Sequence, residues 1–131
     1  MIKKIEKPKK DKKKTIAYWQ KKADKKLQEI ARDVYADKGC MICGGEYSCV
    51  HHYIPKSRST ALRYDWDNLI PICARCHQTH HCGDATVHAR VDLLKGEEWL
   101  ENLLAKQKQG IGIKANWQWY KNKFESLDVE N

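Results

Sequence analysis

The sequence predicts an α+β fold, and three observations predict it. An apolar stripe at helical spacing opens the structured part, two Cys-x-x-Cys pairs bracket a β-prone stretch, and two further helical patterns follow. With 131 residues, 41% of them hydrophobic, five Trp and six Tyr, the chain should form one domain with a modest core. Cores of this size commonly need a further staple, a bound metal being one.

Residues 1–14 contain eight Lys and Pro8 with almost nothing to bury, and are expected to form a disordered basic arm. Ile16, Trp19, Ala23, Leu27, Ile30 and Val34 then recur at three and four, predicting an amphipathic helix from about Thr15 to Asp37. Thr15 suits its N-cap and Gly39 its C-terminal stop. Such a stripe usually faces a core, while Lys21, Lys22, Lys25 and Lys26 take the solvent face.

Gly39 to Gly45 should be a tight turn around the first Cys pair. Tyr47 to Ile54 is β-prone and is broken by Pro55-Lys56-Ser57-Arg58-Ser59. Leu69-Ile70-Pro71-Ile72 is a short apolar segment feeding the second pair, and a helix should begin near Cys73 and run through His81. Residues 84–94 carry no clear period. Glu97 to Lys108 reads as a helix with Trp99, Leu100, Leu103 and Leu104 on one face. After Gly110-Ile111-Gly112, Lys114 to Leu127 resumes with Trp117, Tyr120, Phe124 and Leu127. The expected organisation is therefore an arm over 1–14, a helix over 15–38, a metal-bearing core over 39–96 and C-terminal helices over 97–131.

The formal net charge is +8, and it lies entirely in residues 1–40, which hold 14 Lys/Arg against 6 Asp/Glu; the other 11 of each sign cancel. A basic arm beside a neutral body suits a polyanion such as nucleic acid, although a lysine tail can also serve solubility alone. No apolar run is long enough to span a membrane, and the lysine-rich start has no apolar segment of a secretory signal. A cytoplasmic location is expected (bacterial, or a phage-infected host), where thiols stay reduced and Cys-x-x-Cys pairs favour metal.

Cys40, Cys43, Cys73 and Cys76 can complete one tetrahedral Cys₄ zinc site. The 29 residues between the pairs exceed the spacing of a simple finger, so something is inserted, and the insert carries His51, His52 and Asn68. Cys49 and Cys82 are left over as expected buried free thiols. On a strand, His51 and His52 should point to opposite sides, so one can bind metal while the other does something else. On a helix, His77 and His81 share a face, with His80 as the competing partner of His77. A strand His with a helical His pair leaves coordination positions open, the mark of a catalytic metal. Histidines merely decorating a zinc-finger helix are the alternative.

These residues resemble the HNH (ββα-metal) endonucleases. The resemblance runs from about Gly39 to Cys82 and rests on Cys40-x-x-Cys43, Val50-His51-His52-Tyr53-Ile54-Pro55, Asp67-Asn68-Leu69-Ile70-Pro71-Ile72-Cys73-x-x-Cys76-His77 and His81. It implies a ββα-metal core with a Cys₄ zinc clamp, flanked by N- and C-terminal helices. It implies His52 as the general base that activates water, with Asn68 orienting its ring. His51, standing where many relatives have Asp, would ligate the catalytic metal with His77 and His81. Imidazole ligands favour Mn²⁺, Ni²⁺ or Zn²⁺ over Mg²⁺. DNA would be the substrate. Arg58, Arg63 and Arg75 in or beside the insert, and Lys12, Lys13 and Lys14 of the arm, are candidate phosphate contacts.

A narrower resemblance, to the phage NinG (Rap) recombination nucleases, rests on Gly39-Cys40-Met41-Ile42-Cys43-Gly44 and Leu62-Arg63-Tyr64-Asp65-Trp66-Asp67-Asn68. It implies action on branched DNA, but His51-His52 and Cys76-His77 follow the mainstream pattern. The rivals from other classes are a non-catalytic zinc-finger DNA-binding protein and a zinc adaptor for other proteins. The sequence leaves monomer and homodimer open.

Overall fold

The computed structural model describes residues 11–128. The element order is α1 (Ile16–Tyr35), β1 (Cys49–His52), β2 (Leu69–Ile72), α2 (Ala74–His81), α3 (Thr86–Lys95), α4 (Glu97–Gln109) and α5 (Trp117–Ser126), with short 3-10 turns at Lys12–Lys14 and Trp66–Asn68. This is an α+β arrangement: a two-stranded antiparallel ribbon and the helix that follows it, wrapped by helices from both ends of the chain.

Of the arm expected to be disordered, residues 1–10 lie outside the described range. Its end differs from the expectation, because Lys12–Lys14 form a 3-10 turn. The Asp11 side chain accepts from Lys13 N, and Trp19 Nε1 donates to the Lys13 carbonyl at 2.6 Å, so local capping outweighs the charge run. Thr15 caps α1 by accepting from Tyr18 N. Ala23 and Leu27 of the predicted stripe are buried, as is Ala31 beside them, whereas Ile16 is 46% exposed. The helix ends at Tyr35, and Gly39 receives the chain at φ +75°; a Cβ there would sit 2.7 Å from the Gly45 carbonyl oxygen, so the turn into the first Cys pair requires glycine.

The ribbon pairs Cys49 with Ile72, Val50 with Pro71, His51 with Ile70 and His52 with Leu69. Val50 and Leu69 pack on Ala23, Leu27 and Ala31 of α1, and α5 closes that layer through Tyr120. Gln28 of α1 grips β1 through both backbone groups of Val50. Beyond the ribbon, Ile72 packs with Cys40, Cys73 and Val87. The Pro71 carbonyl, on the side of β2 away from β1, accepts from Met41 N at 2.9 Å.

The connection between the strands is held from inside by Asn68, which has no exposed surface. Its Oδ1 accepts from Ile54 N at 2.7 Å, and its Nδ2 donates to the Ile54 and Leu62 carbonyls at 3.0 and 3.2 Å. Leu62 and Ile54 then pack on Leu103 of α4. The unperiodic stretch 84–94 is largely helix α3: the Asp84 carboxylate accepts from Thr86 N and supplies a start signal without an apolar stripe. Cys82, expected to be buried, is exposed just after α2.

Asp24 ties α1 to this connection, accepting from Arg63 Nε at 3.0 Å, Arg63 Nη2 at 2.6 Å and the Tyr64 hydroxyl at 2.8 Å. Burial raises the Asp24 pKa, but these donors outweigh it and leave the carboxyl below its ordinary value. A depressed carboxylate stabilises the fold above its unfolded pKa and loses that contribution as pH falls through the folded one. Asp24→Asn should therefore cost on the order of 2 kcal/mol at neutral pH, and urea unfolding should show the gap from wild type shrinking below about pH 4. Asn68→Ala leaves the buried Ile54 N–H and carbonyl unpaired, while the Leu62 carbonyl keeps its bond from Asp65 N, and should cost on the order of 3 kcal/mol in the same measurement.

Candidate metal centres and nucleic-acid face

The four predicted thiols converge. Cys40, Cys43, Cys73 and Cys76 each place a sulfur within 4.8 Å of the other three. Backbone N–H groups of Ile42, Gly45 and Cys76 point at Cys40, Cys43 and Cys73 sulfurs at 3.3–3.4 Å. Donation from Cys76 N is the main reason the Cys73 thiol is pulled down to about 7. Sulfurs held by amide donors in two tight turns fit a tetrahedral thiolate site, so this donor set suits zinc.

The imidazoles gather around His51, which is 7% exposed. Its ring centroid lies 4.5 Å from His80, 5.2 Å from His77, 5.9 Å from His88 and 6.1 Å from His81. Within α2, the one-turn spacing brings His77 Nε2 and His81 Nε2 to 2.9 Å, and His77 Nδ1 is 3.5 Å from the Cys49 sulfur. His51, His77 and His81 can each direct one nitrogen to a common point within the same 4.8 Å limit. Burial, reinforced by His80, His77 and His88, pulls the His51 pKa down to about 3. Burial followed by His81 and His80 lowers His77 as well. Neutral imidazoles keep the lone pair that a metal requires, so the set fits a divalent ion.

His52, one residue along β1, has a different environment. Its Nε2 lies 2.8 Å from the Arg63 carbonyl, which can only accept, so Nε2 carries the proton and Nδ1 keeps the lone pair. Burial lowers the His52 pKa, and the Arg63 carbonyl partly offsets that. Asn68 bonds the backbone around the ring: its carbonyl accepts from Tyr53 N, and its side chain holds Ile54 and Leu62, next to Arg63. A cleft of about 530 Å³ is lined by His51, His52, His77, His80 and His81, with Gln28 and Lys56 at its walls.

Among the basic candidates, Arg58, Arg75, Lys12, Lys13 and Lys14 are exposed. Arg63 turns inward instead: its guanidinium pairs with Asp24 at 2.6 Å and its side chain is 14% exposed, so it anchors the connection and does not face solvent. Sequence reasoning passed over three residues. Lys56 lies in the recognised Pro55–Ser59 loop, where Arg58 alone drew notice. Asp24 was hidden on the polar side of α1. His88 fell in the stretch without a period, and nothing in its spacing marks it. No helix among the described residues is long and apolar enough to cross a membrane.

Comparison with curated proteins and with solved structures returned no match. Comparison with protein families did: the thiol pairs, the ribbon and α2, residues 40–83 and about a third of the chain, match the HNH endonuclease family.

Proposed function

We propose that this protein is a metal-dependent endonuclease that hydrolyses DNA phosphodiester bonds, with His52 as the general base. One observation carries the reading: a triad of imidazoles able to share an ion, His51, His77 and His81, lines the same cleft as a separate histidine whose Nε2 is engaged by the Arg63 carbonyl. A binding module has no need of the second histidine.

An ion in that triad, of the class Mn²⁺, Ni²⁺, Zn²⁺ or Mg²⁺, would supply Lewis acidity to the phosphoryl group and stabilise the leaving oxygen. The protein's own part is proton handling and position. His52 Nδ1 accepts the proton of the attacking water. The resulting imidazolium still donates through Nε2 to the Arg63 carbonyl, so the ring keeps its orientation through the step. Arg63 is fixed in turn by Asp24, and the loop beneath it by Asn68. Lys56, which lines the cleft, and the exposed Arg58 and Arg75 would meet phosphates, with Lys12, Lys13 and Lys14 adding salt-sensitive affinity. Four thiolates holding zinc would keep the ribbon and α2 in register.

His52→Ala is expected to lower the rate of plasmid cleavage by about 10²–10⁴-fold, with circular dichroism, zinc content and DNA affinity unchanged. Wild-type protein that cuts no plasmid, linear duplex or four-way junction with any divalent metal would instead establish a zinc-dependent DNA-binding module. Preference for the junction would assign the branched-DNA role. In a metal series, three imidazole ligands predict activity with Mn²⁺ or Ni²⁺ at least equal to that with Mg²⁺, and Mg²⁺ alone being effective would remove the triad from the mechanism.

A further inference from the structure

We propose a second histidine metal site, formed by His51 of β1, His80 of α2 and His88 of α3, that takes a borderline divalent ion such as Zn²⁺, Co²⁺ or Ni²⁺ and joins α3 to the ribbon. It is distinct from the His51–His77–His81 triad in two of its three ligands.

Each of the three residues offers a ring nitrogen within 4.8 Å of those of the other two. Zinc–nitrogen bonds of about 2.0–2.1 Å set tetrahedral ligand atoms roughly 3.4 Å apart, so small ring rotations suffice to close on an ion. A second observation is independent of that spacing. Among the described residues, four buried side-chain nitrogens or oxygens lack a hydrogen-bond partner, and three of them are His51 Nε2, His80 Nδ1 and His88 Nε2. A buried polar atom left unpaired costs on the order of 1–3 kcal/mol. Three in one cluster are hard to sustain unless something there accepts their lone pairs.

Stacking explains the ring positions but not these nitrogens. His88 lies flat on His80 at 4.7 Å and 19°, and Tyr53 covers its other face at 4.3 Å and 13°. The Tyr53 hydroxyl donates to Asp92 at 2.5 Å, one turn along α3 from His88, which fixes the covering ring. Ligand rings locked by outer contacts of this kind are what a metal site requires. His51 and His80 also line the cleft that His52 lines, whereas His88 does not, so the site sits where the cleft meets the α2–α3 junction and shares His51 with the first triad. Three imidazoles without carboxylate or thiolate select borderline transition ions over Mg²⁺ or Ca²⁺.

The test uses the full chain with His77→Ala and His81→Ala, which retains the proposed ligands. After one zinc per chain is loaded at the thiols, titration with Co²⁺ should show one further ion with visible bands of nitrogen ligation and no sulfur charge transfer. Adding His88→Phe, which keeps an aromatic ring against Tyr53, should weaken Co²⁺ binding by about 10-fold or more. A folded double variant that binds no cobalt beyond the thiol site would overturn the proposal. So would a Co²⁺ affinity indifferent to His88→Phe. Both readouts are independent of cleavage, so a failure of the nuclease reading, seen with wild-type protein on plasmid, is separable from a failure of this one.

Discussion

Closing four sulfurs on one point joins residues 40–43 to residues 73–76, and most of the site geometry descends from that closure. The turn from Gly39 to Gly45 is bonded to itself and, through Met41, to β2, while Cys73 serves at once as thiol and as N-cap of α2. The sulfur cluster therefore sets the start of α2 against the end of β2. From there, helical phase alone decides that His77 and His81 meet and that His80 turns toward α3. In a chain with so small a core, the thiol cluster is the frame on which the imidazoles stand.

Two adjacent histidines receive different chemistry from the pleat of one strand. His51 faces a cluster of other imidazoles, where burial and like neighbours keep it neutral and available as a ligand. His52 faces a backbone carbonyl that fixes its tautomer and tempers the effect of burial. The division is reinforced from a distance. Asp24, on the first helix, holds the residue whose carbonyl holds His52, so an element remote in sequence sets the orientation of the ring.

Features whose causes are local were legible in the sequence. Thr15 capping α1, the Cys pairs and the i, i+4 relation of His77 and His81 depend on neighbours within a turn or two, and residue identity suffices to read them. The resemblance of residues 40–83 to the HNH endonuclease family was legible for the same reason, since its Cys, His and Asn residues sit at fixed steps. What could not be read depends on partners far along the chain. Arg63 looked like a phosphate contact because a basic residue in a loop is usually solvated, and only the approach of α1 shows that Asp24 claims it. His88 sits in a helix whose N-cap, Ala85, makes no side-chain bond and which buries only Val87 and Val91, so no cap or period announced it. The 3-10 turn at Lys12–Lys14 was likewise hidden, because its cap and its Trp19 contact count for more than its charge.

Pro71 has a consequence for the protein among other copies of itself. A two-stranded ribbon presents two outer edges, each a template on which a further strand could add. On β2 the outward carbonyl at Pro71 is already taken by Met41, and proline has no N–H to offer beside it. That edge can neither donate nor accept at its centre, which protects a short apolar strand from edge-to-edge aggregation.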